Sequence, residues 1–114
     1  MQYNTLYKYP FTVDILTWTD SGTINNPSLT WAYNRTVKAK IVNDGTGRVF
    51  LHVPSTENLR IQDRFNNIKD VAGELILPVA GSSVGQEYQV TEMEPSVNQF
   101  GYRVGIRYWG VKVS

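Results

Sequence analysis

Apolar and polar residues alternate along several stretches of the chain, and the longest alternation covers residues 100–113. Every second residue from Phe100 to Tyr108 is apolar, and the positions between them hold glycine, arginine or tryptophan. Because successive side chains of a β-strand point to opposite faces, this pattern predicts one long strand with an apolar face. At Gly110 the apolar positions change parity, which predicts a β-bulge or a bend there.

A second long strand is predicted over residues 29–41, where only Arg35 interrupts an apolar face. Residues 43–47 follow with the sequence NDGTG, and Asp-Gly favours a hairpin turn because both central residues of a type I′ turn have positive φ. Residues 48–53 then predict a strand that pairs back and ends at Pro54. The inward residues of these two strands are Leu29, Trp31, Tyr33, Val37, Ala39 and Ile41, then Val49, Leu51 and Val53.

Shorter alternations predict the remaining strands over residues 11–19, 59–65, 75–79 and 87–93. Asp63 breaks the apolar face of the second of these, Pro78 restricts the third to a short or edge strand, and Pro95 ends the fourth. Residues 66–73 are interpreted as an extended or turn-rich excursion, and residues 1–9 as an N-terminal arm that becomes ordered by docking. About seven strands joined by turns predict an all-β antiparallel barrel or sandwich.

Composition agrees with this class and excludes several functions. A chain of 114 residues forms a single domain, and its 18% charged content is low, with Asn, Thr, Ser, Gln and Gly supplying the polar residues. The net charge of +1 gives no sign of a binder of bulk polyanions. The absence of cysteine excludes disulfides and thiolate metal sites. Without a long apolar run or a signal peptide, we expect a soluble protein used or assembled inside a cell.

Residues with catalytic potential are few and scattered. Glu92 and Glu94 share one face of a strand, as many solvated carboxylates do. His52 is the single histidine, and its parity is typical of a hydrogen-bonded or solvent-facing strand residue. No nucleophile elbow is present, and the spacing of acids needed for a calcium site is missing. We therefore expect no catalytic residue, no metal and no cofactor, and a protein that is not an enzyme.

Three tryptophans and seven tyrosines raise a second possibility, because exposed aromatic residues on a β-sandwich are a common platform for sugars. Trp31 lies on the apolar face of its predicted strand, and Trp109 neighbours the predicted bulge. Together with Trp18 they are therefore expected in the core, where a tryptophan buries a large apolar area. A carbohydrate-binding module remains an alternative.

Charged residues on the two longest strands indicate a possible contact between subunits. A solvated face is the usual explanation, but basic and acidic strands in a chain of near-zero net charge also suit side-by-side self-assembly. The basic candidates are Lys38, Lys40, Arg103 and Arg107, and the acidic residues of a neighbouring copy are Glu87, Glu92 and Glu94.

The order of several short motifs resembles a known family. Residues 11–18 (FTVDILTW) precede a polar turn with a glycine, an aromatic segment at 29–33 (LTWAY) and a strand at 35–41 (RTVKAKI). Residues 59–65 (LRIQDRF), a Tyr-x-Val at 88–90 and a glycine-containing last strand complete the series. This layout resembles the head-closure or head–tail adaptor proteins of tailed phages, the neck proteins often called stoppers. Residues 66–86 depart from it, because the family usually has a short hairpin there.

The resemblance implies a β-barrel subunit of a dodecameric ring, located in the virion and assembled in the host cytoplasm. The ring would lie between a portal or adaptor protein and a tail protein, contact DNA nonspecifically and close the channel after packaging, without a membrane. A tail-terminator-like ring protein is a related alternative. A mobile loop would gate the channel, and the candidate residues are Asn43, Asp44, Gly45, Thr46, Gly47 and Arg48, then Asn66, Asn67, Lys69, Asp70 and Gly73.

Overall fold

The computed structural model describes residues 9–43, 47–54, 56–76, 85–97, 99–101 and 103–113. Antiparallel strands close into a barrel in the order β1-β2-β3-β6-β5-β4, which confirms the predicted all-β class. The described residues hold six strands where about seven were expected. The bounds are β1 Phe11–Asp20, β2 Leu29–Asn43, β3 Arg48–Val53, β4 Arg64–Lys69, β5 Tyr88–Val97 and β6 Arg103–Lys112.

The core fills the barrel with alternate residues of its strands, as the period of two requires. All three residues predicted to point inward from β3 are buried, and Tyr108 of β6 and Phe65 of β4 are the largest side chains that are fully buried. The core cluster consists of Val13, Ile15, Val37, Ala39, Val49, Leu51, Val53, Leu59, Phe65, Ile68, Tyr88, Val90, Ile106 and Tyr108.

The single apolar face predicted for β2 is wrong, because a bulge divides the strand. Ile15 of β1 pairs with Arg35 and Leu16 pairs with Tyr33, so Asn34 has no partner on β1. Tyr33 therefore shares the face of Leu16, opposite that of Ile15. Val37 and Ala39 are buried as predicted, whereas Tyr33 is 62% exposed.

The last two strands also differ from the prediction in three places. Pro95 does not end β5, which pairs with β6 as far as Val97. The bulge predicted at Gly110 lies instead on the partner strand, where Thr91 is skipped between Val90 and Glu92. Phe100, expected on the apolar face of the last strand, precedes that strand and is 74% exposed.

A linker at residues 54–63 replaces most of the strand predicted over residues 59–65. Gln62 has a φ of 79°, which an extended strand does not allow, and β4 begins only at Arg64. Asp63, the polar residue that interrupts the predicted apolar face, is 1% exposed, whereas Ile61, predicted on that face, is 42% exposed.

Other segments refine the predicted boundaries. Residues 66–69, interpreted as part of an excursion, belong to β4. Of the strand predicted over residues 75–79 the structure describes residues 75 and 76, and Leu75 forms an isolated bridge with Lys69. Residues 77–84 of that region lie outside the described residues. Tyr9, assigned to the arm, is buried, and its ring meets that of His52 edge-on at 5.7 Å.

The antiparallel order places three of the five connections at one end of the barrel and two at the other. The connections β1–β2, β3–β4 and β5–β6 leave one end, which we call the upper end. The strands β3 and β4 are short, so the longer β1–β2 and β5–β6 hairpins extend beyond them on opposite sides of the barrel. We call these extensions the first prong (residues 16–33) and the second prong (92–97 and 103–105). None of the described residues forms a helix long and apolar enough to cross a membrane.

Candidate interaction surfaces

The first prong leaves one long edge of β2 without a strand partner. Over residues 29–39 this strand pairs with β1, but its pairing with β3 begins only at Lys40. Arg35 of β2 contacts the linker there, since its guanidinium donates to the Asn58 carbonyl at 2.9 Å and lies 3.7 Å from Glu57. Unpaired N–H and C=O groups of an edge are a ready template for another strand.

The second prong has a shorter free edge on β5. Pairing with β4 is restricted to Tyr88 and Gln89, and Val90 is held by backbone hydrogen bonds with Gln62 and Asp63. Residues 91–97 continue along β6 without a described strand partner on the other side. Pro95 interrupts this edge, since proline has no N–H to donate.

Four of the eight large apolar side chains that are exposed among the described residues lie on the prongs or in the connections at their tips, while Val42, Val71 and Val111 lie toward the other end of the barrel. Ile24 at the tip of the first prong is 99% exposed, and Tyr33 follows on β2. On the second prong Met93 is 46% exposed, and Phe100 lies in the connection at its tip. Exposed apolar side chains beside a free strand edge favour contact with another molecule.

The tryptophans lie outside the core cluster, which corrects the expectation that they fill it. Trp18 and Trp31 face each other across the first prong and donate their indole N–H groups to the carbonyls of Ile61 and Gln62, at 3.0 and 2.8 Å. Arg60 lies over the Trp18 ring at 4.3 Å. These contacts attach the linker to the first prong. Arg64 of β4 lies 3.5 Å over the Trp31 ring. Trp109 packs on the ring of Phe50, with ring centroids 4.3 Å apart.

The linker also contacts the opposite side of the barrel. The backbone N–H of Leu59 donates to the buried Tyr108 hydroxyl of β6 at 2.9 Å. The carboxylate of Asp63 accepts from the backbone N–H groups of Arg60 and Trp18, at 2.8 and 3.3 Å. The linker therefore covers the upper end of the barrel between the two prongs and is bonded to both sides.

Acidic and basic residues predicted to join subunits have unequal surroundings. Glu87 is engaged within its own chain, where Arg64 donates to it at 3.0 Å. Glu92 lies 4.0 Å from Arg48, and Glu94 is opposite Arg107 on the adjacent strand, so the basic and acidic strands are neighbours in one sheet. Lys38 and Lys40 are exposed on β2 and make no ion pair with another described residue. For Arg103 the structure describes the backbone, which pairs with Val97.

The candidate gating residues divide between strand, turn and undescribed segments. Asn66, Asn67 and Lys69 are strand residues of β4, which corrects their placement in a loop. Asp70 caps a tight turn by accepting from the N–H groups of Ala72 and Glu74, both at 2.9 Å, and the turn includes Gly73 with a φ of 83°. Asp44, Gly45 and Thr46 lie outside the described residues, while Asn43, Gly47 and Arg48 flank them. The described residues Asn43, Gly47 and Arg48 and the turn that follows β4 lie at the lower end, opposite the prongs.

A shallow groove crosses the outer face of three neighbouring strands. Lys40, His52 and Arg107 are direct neighbours on β2, β3 and β6, and Val42 and Phe50 complete a volume of about 240 Å³. No three His, Cys, Asp or Glu side chains of the described residues lie together as a metal site would require. The groove was not predicted, because the strand register that aligns its residues is not visible in the sequence.

Two hydrogen bonds order the turn of the first prong. The Asp20 carboxylate accepts from the backbone N–H groups of Gly22 and Ser28, both at 2.9 Å. The Ser28 bond and then the Gly22 bond hold the pKa of Asp20 below its ordinary value. Burial raises the pKa of the Tyr9 and Tyr88 hydroxyls instead.

Comparison with known proteins finds no matching family model, no matching curated protein and no matching solved structure. The proposals below rest on the geometry of this chain and on the resemblance carried by its motifs.

Proposed function

We propose that this protein is a structural connector in the neck of a phage virion. Copies form a ring between the portal or adaptor and the tail, and the ring closes the DNA channel after packaging. The observation that carries the proposal is the pair of prongs at one end of the barrel, which combine free strand edges with exposed apolar side chains.

This arrangement supports assembly because each feature is costly in a protein that acts alone. Long uncovered edges invite pairing with other chains, and natural monomers shorten, bend or cover them. Burial of the exposed Ile24 and Phe100 side chains against a partner would stabilise the complex, because it removes apolar surface from water. A protein that spends its working life inside an assembly has both features covered there.

A role without chemistry agrees with the distribution of reactive groups. The glutamates of β5 are exposed on the strand surface, and the imidazole of His52 packs between Tyr9 and the backbone of Gly105.

The carbohydrate-binding alternative has less support. Trp18 and Trp31 each have one ring face covered by an arginine, and their indole N–H groups are used within the chain. If a glycan panel nevertheless changed the tryptophan fluorescence in a saturable way, sugar binding would replace the connector proposal.

Reconstruction of intact particles by cryo-electron microscopy tests the connector proposal. We expect ring density between portal and tail that fits the barrel, and loss of packaged DNA from particles that lack this protein. A ring that caps the head-proximal end of the tail tube would assign the tail-terminator role instead. Particles without any copy of the chain would refute both.

A further inference from the structure

We propose that neighbouring copies join by strand addition, the β5 edge of one copy pairing with the β2 edge of the next. In this contact Glu92 and Glu94 of one copy lie beside Lys38 of the other, with Lys40 next to them where the pairing with β3 begins. The inference rests on the proposed function, since it supplies the contact that builds the ring.

The two edges are the longest parts of the barrel whose backbone lacks a strand partner within the described residues. On β2 the free edge covers residues 29–39 and contains no proline. On β5 it covers residues 91–97, of which Pro95 cannot donate. Residues 92–94, between the bulge at Thr91 and Pro95, are therefore the part of β5 that can form a regular ladder.

The charges of the two edges are complementary and equally spaced. Lys38 and Lys40 are two residues apart on one face of β2, and Glu92 and Glu94 are two residues apart on one face of β5. All four are exposed. Opposite charges that face each other across paired strands stabilise the pairing, whereas like charges oppose it.

Charge also disfavours the symmetric alternatives. Pairing of two β2 edges would bring together Arg35, Lys38 and Lys40 of both copies without any acid on these strands. Pairing of two β5 edges would oppose glutamates and place two copies of Pro95 in one short ladder. The contact between unlike edges avoids both conflicts.

A contact between unlike edges repeats from copy to copy. The β2 and β5 edges belong to different prongs, which β3 separates on one side of the barrel and β4 on the other. Each copy can therefore donate one edge and accept at the other simultaneously. A head-to-tail contact of this kind closes into a ring when its rotation allows and otherwise extends as a filament.

Paired charge reversals test the contact in solution. One variant carries Lys38→Glu and Lys40→Glu, and the other carries Glu92→Lys and Glu94→Lys. Each alone places like charges across every contact, so sedimentation velocity should show self-association weakened by about tenfold or more. An equimolar mixture restores opposite charges at both contacts of every copy and should assemble as the unmodified protein does. The matched control, Lys69→Glu with Lys112→Glu, changes exposed lysines away from both edges and should assemble normally.

Disulfide cross-linking tests the same contact with single substitutions, which change its charge less than the double charge reversals do. The chain contains no cysteine, so single Lys38→Cys and Glu92→Cys or Glu94→Cys variants introduce defined thiols. Mixing the Lys38→Cys protein with either partner under oxidation should give a disulfide-linked dimer, because paired strands bring Cβ atoms to about 4.5–5.5 Å. Lys69→Cys mixed with Glu92→Cys should not cross-link.

The outcomes separate this inference from the function on which it rests. If particles contain the ring but the charge variants assemble unchanged, the strand contact is refuted and the connector stands. If the mixture restores assembly but particles lack the protein, the contact stands and the connector is refuted. If the edge amides of residues 29–39 are already protected from hydrogen exchange in the isolated monomer, the chain itself covers that edge and the inference fails.

Discussion

Gly110 lies so close to the core that there is no space for a side chain at this position. A Cβ at this residue would lie 2.5 Å from Cζ and 2.6 Å from Cε1 of Phe65, which is fully buried and stacks on Tyr88. We expect Gly110→Ala to lower the free energy of unfolding by about 1–3 kcal/mol through overpacking. Urea denaturation measures the change, with Lys112→Ala as a control that should stay within about 0.5 kcal/mol. Equal stability of both variants would show that Phe65 can move aside.

Tyr108 contributes one hydroxyl to the attachment of the linker. In the Tyr108→Phe variant the buried backbone N–H of Leu59 loses its acceptor, and leaving such a group unsatisfied costs about 1–3 kcal/mol. Tyr33→Phe removes a hydroxyl that is bonded to Thr36 at the surface and should cost much less. Thermal unfolding of the two variants provides the comparison, and similar melting temperatures would contradict the role of the Tyr108 hydroxyl.

Asp20 makes the turn of the first prong sensitive to acid. Because its pKa is lowered in the folded protein, the carboxylate stabilises the turn fully above the ordinary aspartate value of about 3.9. That contribution is lost as the pH falls through the lowered pKa. NMR titration should show the amide signals of Gly22 and Ser28 moving together with a midpoint below about 3.9. A midpoint at or above that value would show that the two hydrogen bonds do not favour the charged form.

Among the elements, the strands whose inward residues alternate without interruption were predictable. Residues 48–53 form β3 with the predicted bounds and the predicted buried face. A regular strand needs only the period of two, which hydrophobicity shows directly. The all-β class follows from the same signal.

Bulges account for most of what the sequence did not reveal. The skipped residues are Asn34 on β2, Thr91 on β5 and Val104 on β6, while on β4 the register with β1 shifts where Asn67 has a φ of 50°. A bulge reverses the face of every later residue, so an alternation read straight through it assigns half of the strand to the wrong side. Glycine was used as the signal for a bulge, but here Gly110 makes room for a ring instead.

The hydrogen bond between Trp31 and Gln62 attaches the linker to the first prong, and substitution of Trp31 tests this attachment. Trp31→Phe removes the N–H donated to Gln62 while retaining an aromatic ring under Arg64, and we expect faster hydrogen exchange in residues 56–63. Trp109→Phe is the matched control, because Trp109 packs on Phe50 away from the linker. Identical exchange in the linker of both variants would contradict the attachment.

The whole molecule is more extended than a compact chain of its length. Its Cα radius of gyration is 14.9 Å, compared with about 13 Å expected for a compact domain, and its extents are 51 × 37 × 25 Å. The prongs explain this shape, since they continue past β3 and β4, where the barrel wall stops. Sequence patterns predicted the strands of the prongs but not their projection, because register and strand order are set by tertiary pairing.

Amide hydrogen exchange should be slower in the barrel wall than in the prongs. The amides of β3, which pairs on both sides, are expected to exchange most slowly. Those of residues 29–39 that face away from β1 should exchange quickly in the monomer and become protected in the assembled ring. Protection that does not change on assembly would place the subunit contact elsewhere.

The hydrogen bonds of the linker have a mechanical consequence. Trp18 and Trp31 bond Ile61 and Gln62 from the first prong, while Val90 bonds Gln62 and Asp63 and Tyr108 bonds Leu59 from the opposite side of the barrel, so one segment, residues 59–63, joins the two sides. A displacement of one prong would therefore reach the other prong through this segment, without rearrangement of the apolar core. Binding of one neighbour would then change the position of the edge that binds the next.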